Sequence, residues 1–172
     1  MSALAPRGQG AVSVGQWVRA AVGALVLAVG TLVYLFDWPA EQMPIQSAVS
    51  LGDVTPVIFG AAGGSLPTFA HAFAFSLLTA AWLGGGDRAG LWACLTWFGS
   101  DTAFELGQQP QIAERLVECL PGWFESLPVL AQADSYFLSG TLDAWDLASI
   151  GLGAAAAYWI TAHTLTGYGD HG

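Results

Sequence analysis

Polar residues are sparse along most of this chain and fall into a regular rhythm. Four stretches are almost wholly apolar: Trp17–Phe36, Leu66–Leu83, Ala89–Gln108 and Leu142–Leu165. Each approximates the roughly 17–25 residues that a helix needs to cross a hydrocarbon core about 30 Å thick. The pattern predicts an all-α polytopic membrane protein with four transmembrane helices. The connection Gly84–Arg88 is short and Gly-rich, whereas Asp37–Ser65 and Gln109–Thr141 are long. Pro39, Pro44 and Pro56 interrupt regular structure in the first long connection. In the second, Ile112, Leu116 and Cys119 approximate helical spacing, which predicts a short surface-lying helix over Gln111–Cys119, ended by Pro121-Gly122. The two long connections are expected to pack together as a cap. No internal repeat or low-complexity linker is visible, and 172 residues are read as a single membrane domain, 1–172.

Composition agrees with the pattern. The chain is 54% hydrophobic and only 10% charged, with mean hydropathy +0.53, where soluble domains carry charged residues near 25%. The first apolar run is longer than the usual 7–15-residue core of a signal peptide, and Asp37-Trp38-Pro39 offers no small-residue cleavage site. It is therefore read as an uncleaved first span. A net charge of −9, with no lysine, leaves nothing to neutralise phosphates and argues against nucleic acid as a partner. It also leaves no polybasic patch for anionic lipid heads. The two cysteines are read as free thiols. Cys94 and Gln108 already lie ~20 Å apart along one helix, with Cys119 beyond, and a disulfide needs Cα atoms within about 7 Å.

The arginines set the threading. Arg7 and Arg19 precede or open the first span, Arg88 lies in the short connection, and only Arg115 falls in the other set of loops. The positive-inside rule then puts both termini in the cytoplasm. With that threading, six polar residues share one depth in the outer half: His71, Asp101, Glu105, Gln108, Asp143 and Asp146. A carboxylate at the centre of a membrane helix costs roughly 2.5–3.5 kcal/mol on insertion scales. Asp101, Glu105 and Gln108 follow i, i+4, i+7 and share a helical face. Asp143 and Asp146 share another, continued by Ile150 and Gly153, where glycine permits close helix contact. Simpler readings stand beside this one. Asp143 and Asp146 are suited to cap a helix N-terminus, and His71 alone reads as a buried histidine bonded to a backbone carbonyl. Asp101 and Glu105 repel one another unless protonated or paired.

This set of residues resembles the VanZ-like family of small bacterial integral membrane proteins. The resemblance covers about Leu66–Tyr158. It rests on His71 in Phe69-Ala70-His71-Ala72-Phe73, on Glu105-Leu106-Gly107-Gln108, and on Asp146 ahead of the Gly-rich Gly153-Ala154-Ala155. It departs where the family often carries Asp-Lys before the His (here Pro67-Thr68), Arg before the last Asp (here Ser139-Gly140), and Asn four residues after it (here Ile150). The resemblance implies a cell-envelope role in the bacterial cytoplasmic membrane.

The leading expectation is thus an outward-facing pocket that binds or processes a lipid-linked or peptidoglycan-related ligand. Glu105 would serve as general base or ligand, His71 as its proton partner, and Asp146 as an orienting group. Asp101, Gln108, Asp143 and Thr141 would line the ligand site. Oxygen-rich clusters suit hard cations, so a divalent cation is a candidate cofactor. No nucleophile elbow, His-Glu-x-x-His or phosphate loop is present. The alternative is a non-catalytic subunit or scaffold of a larger membrane complex, with the polar cluster fixing helix packing and tryptophans anchoring the interface. Haem ligation between His71 and His163 is disfavoured by their opposite depths. Without an inverted repeat, a transporter has little support.

Overall fold

The computed structural model describes residues 12–37, 58–84, 86–127 and 130–166. Most of the first long connection, 38–57, lies outside the described residues, and with it the expected packing of that segment into a cap. Among the described residues all regular structure is helical. Six α-helices follow one another: α1 (Val14–Asp37), α2 (Ala62–Leu83), α3 (Asp87–Gly107), α4 (Pro110–Glu118), α5 (Ala133–Ser139) and α6 (Ala144–Thr166). Short 3-10 turns at Gly122–Ser126 and Leu130–Gln132 join α4 to α5. Of the described helices, α1 and α2 are long and apolar enough to cross a membrane. The other two long helices, α3 and α6, have comparable lengths but carry more polar residues.

Local chemistry explains the boundaries. Ser13 and Gln16 form a reciprocal capping box. The Gln16 N–H donates to Ser13 Oγ at 3.2 Å, and the Ser13 N–H donates to Gln16 Oε1 at 2.8 Å. This starts α1 at Val14, three residues before the apolar run. At its other end Asp37 accepts the backbone N–H groups of Ile58 and Phe59, each at 2.8 Å. One carboxylate thereby ties the end of α1 to the turn that opens α2. Helix α2 stops at Gly84, whose φ of 61° is left-handed, the conformation that favours glycine at a helix end. Pro110 opens α4, where its missing N–H costs nothing.

The four long helices run alternately up and down, with α2 at the centre touching α1, α3 and α6. Helix α1 leans on α2 and meets α6 only sparsely. Small residues set these contacts. A Cβ on Gly153 would stand 2.7 Å from the Phe69 carbonyl oxygen, so α6 lies directly on the backbone of α2, as the sequence suggests for that glycine. Phe73, Leu77, Cys94 and Ala157 form the buried core. The face expected along α6 is buried at Ile150 and Gly153. Helix α4 differs from expectation. It buries Ala113, while Ile112, Leu116 and Cys119 stay largely exposed, because α4 packs across the end of α3 rather than lying free. Leu116 and Phe137 of α5 close on Gly107 there, where a Cβ would meet both side chains. Cys94 and Cys119 are both free.

Candidate functional site

The bundle brings the six expected polar residues to one end, which also receives α4, α5 and the end of α1. They divide into two connected groups. In the first, the His71 ring meets the Asp101 carboxylate, with Nδ1 3.1 Å from each oxygen. Asp101 is 8% exposed and the His71 side chain 47%. An ionised carboxylate only accepts hydrogen bonds, so Nδ1 is the donor to Asp101, and in the neutral ring Nε2 is the acceptor. The ring also packs against Phe75, with centroids 4.5 Å apart, and against the edge of Trp97 at 5.6 Å. Phe75 and Trp97 stack on one another at 4.8 Å, and Trp97 Nε1 donates to Thr79 Oγ1 at 2.9 Å. The imidazole is therefore held between Asp101 and the Phe75–Trp97 pair while about half of the side chain stays exposed.

The second group joins α3 to α6. Glu105 is buried, and its Oε1 accepts the backbone N–H of Asp143 at 2.8 Å. Asp143 is an exposed helix cap whose Oδ1 accepts the Trp145 N–H at 2.8 Å. Asp146 accepts from Thr68 Oγ1 of α2 at 3.2 Å. The Gln108 side chain lies against Gly140, where a Cβ would collide with it, and reaches the Tyr136 hydroxyl. Tyr34 of α1 lies within electrostatic range of Asp146 and Tyr136. Burial, helped by Glu105, Asp101 and Asp146 nearby, pushes the Tyr136 phenol above its ordinary value, partly offset by the Gln108 hydrogen bond.

This geometry revises several expectations. His71 pairs with Asp101 instead of Glu105, because Glu105, one turn on, is turned to the start of α6. The two acids avoid mutual repulsion by taking different partners. Asp146 is bonded to Thr68 and does not orient His71. Thr141 is exposed in the turn before α6 and makes none of the cluster's hydrogen bonds. Among the described residues no three His, Cys, Asp or Glu side chains are placed to hold a metal ion, since the acids diverge toward separate partners. Thr68, Phe75, Trp97 and Tyr136 went unmarked in the sequence. Thr68 and Phe75 do flank His71 at i−3 and i+4, but Tyr136 sits on α5, a seven-residue helix too short to carry a periodic signal.

Comparison with known proteins finds no matching family model, no matching curated protein and no matching solved structure. Thr68 bonds Asp146, Gly140 makes room for Gln108, and Ile150 is buried.

Proposed function

We propose that this chain is a four-span, VanZ-like protein of the bacterial cytoplasmic membrane whose His71–Asp101 pair, at the outer side, binds the polar head of a lipid-linked envelope ligand. The observation that carries this reading is the division of labour within the cluster. Glu105 and Asp146 are engaged with Asp143 and Thr68, whereas His71 is oriented by Asp101 and leaves Nε2 free and accessible. A fixed tautomer with a free ring nitrogen accepts a proton from a ligand hydroxyl or phosphate monoester. Glu105 and Asp146 are then positioning residues that hold α6 against α3 and α2.

Support for four spans comes from the surface. The long helices have 24, 22, 21 and 23 residues, or about 32–36 Å at ~1.5 Å per residue. Exposed apolar side chains cover the girth, among them Leu25, Val29, Leu95, Phe98 and Leu152. Each long helix also exposes one tryptophan near the end away from the cluster: Trp17, Trp82, Trp92 and Trp159. All four lie within about 11 Å of that end, as an interfacial aromatic belt requires.

The test is complementation of a deletion strain with wild type, His71→Ala and Asp101→Asn, scored by susceptibility to glycopeptide and other wall-directed antibiotics. Both variants should lose complementation at normal membrane levels, and phospholipids or lipid-linked precursors retained by the wild type in non-denaturing mass spectrometry should be depleted. Full complementation by both variants would reject the site. A second reading, a scaffold within a larger complex, draws on the fact that most of the cluster is internally satisfied. It requires a stoichiometric partner to co-purify with wild type and with His71→Ala alike.

A further inference from the structure

Arg19 is the most anomalous group in the molecule. It is 1% exposed, yet it lies at the opposite end of the bundle from the polar cluster. Helical side chains point back toward the N-terminus, and Arg19 does so: its Nε donates to the Gly15 carbonyl at 3.1 Å, one turn earlier. The guanidinium therefore lies level with Gly15, facing the last turn of α6. A Cβ on Gly15 would stand 3.0 Å from the Thr164 carbonyl oxygen and 3.7 Å from Arg19 Nη2. Nη1 is buried and no described residue accepts from it. A guanidinium stays protonated at any physiological pH, and a buried charge without a counter-charge is among the costliest arrangements a protein can hold.

We propose that Arg19 holds the phosphate of an anionic phospholipid from the inner leaflet, taken up at the seam between α1 and α6. That seam is the weaker one, because α1 packs mainly on α2 and touches α6 only sparsely. Its depth suits a head group, since exposed Trp17 on α1 and Trp159 on α6 mark the interfacial level at that end. The lipid enters by parting α1 from α6, so that the phosphate meets Nη1 while the acyl chains lie along the apolar flank of α1. A chain of net charge −9 attracts no anionic surface by general electrostatics. The contact is thus a single specific site, unlike the polybasic patches that hold such lipids elsewhere.

The inference rests on the membrane reading above, and the experiment separates the two. Purified full-length protein is reconstituted into nanodiscs of phosphatidylcholine alone, of phosphatidylcholine with phosphatidylglycerol, and of phosphatidylcholine with added inorganic phosphate. Failure to enter any nanodisc counts against the membrane reading. Given incorporation, the unfolding midpoint should rise by about 3–12 °C with phosphatidylglycerol, as expected for one charge-assisted hydrogen bond in a chain of this size. Arg19→Gln should abolish that increment and Arg19→Lys should keep part of it. Equal wild-type midpoints in the first two lipids would overturn the proposal without recourse to any variant. So would an increment that survives in Arg19→Gln, or one reproduced in full by inorganic phosphate.

Discussion

Glu105 is 6% exposed and spends one oxygen on the backbone of Asp143, so its removal strands a buried N–H at the start of α6. Glu105→Ala is expected to cost about 1–3 kcal/mol, the penalty for leaving such a donor unpaired. Glu105→Gln keeps an acceptor oxygen in the same place and should cost less than about 1 kcal/mol. Thermal unfolding in detergent distinguishes them, at roughly 2–4 °C per kcal/mol for a chain of this size. Equal losses in both variants would mean that the carboxylate's charge matters and not its acceptor. Tyr136 gives a second handle. Its phenol is held above the ordinary value by burial and the nearby acids, so the folded state retains a proton that the unfolded state releases just above pH ~10. Stability is then unaffected below that pH and falls as pH rises through the folded-state value. Ultraviolet titration should show a tyrosine component that ionises above pH ~10 and is absent from Tyr136→Phe. The polar positions themselves were legible because charge inside an apolar run is conspicuous. Their pairing was not, since Asp101 and Glu105 share a face and which one His71 meets depends on an axial offset of about one turn, ~6 Å, between α2 and α3.

Gly153 and Gly99 show how the elements are held. At Gly153 a Cβ would stand 2.7 Å from the Phe69 carbonyl oxygen and 3.2 Å from the Phe73 nitrogen, both backbone atoms that cannot swing away. Gly153→Ala should therefore push α6 off α2 and destabilise by about 1–3 kcal/mol, the range for overpacking. Gly99, in the middle of α3, has nothing within 4 Å of where a Cβ would stand, so Gly99→Ala should be neutral or stabilising by up to about 1 kcal/mol through helix propensity. Chemical or thermal denaturation of the pair checks the contrast, and similar losses in both would argue against close α2–α6 contact. The long helices could be read from the sequence because runs of apolar residues bounded by Gly, Pro and Asp leave little choice. Their first turns could not. The Ser13–Gln16 capping box and the Asp37 carboxylate add turns that hydropathy alone does not register. The inner face of α4 also eluded the pattern, because an amphipathic helix that crosses the end of another buries whichever side meets it, here Ala113.

For the whole molecule, the proposed four spans and the two helices that pass by length and apolarity make different predictions, and Cys119 tests them. Helices α1 and α2 pass by length and hydropathy. If only they crossed, everything after Gly84 would lie on the side of the N-terminus, Cys119 included. If α3 and α6 also cross, Cys119 lies on the opposite side, with the polar cluster. The two arrangements differ in the location of one thiol that is exposed in the fold, while Cys94 is buried in the core. A membrane-impermeant maleimide applied to intact spheroplasts should label the wild type and Cys94→Ala equally, and should not label Cys119→Ala. Labelling that appears only after permeabilisation would leave α3 and α6 on the inner side. The bundle would then have to bury its exposed Trp92, Leu95, Phe98 and Leu152 against a partner rather than lipid. That alternative makes its own demand: Trp92, Leu95 and Phe98 lie on α3 and Leu152 on the adjoining α6, so the partner would have to cover the joined outer face of these two helices.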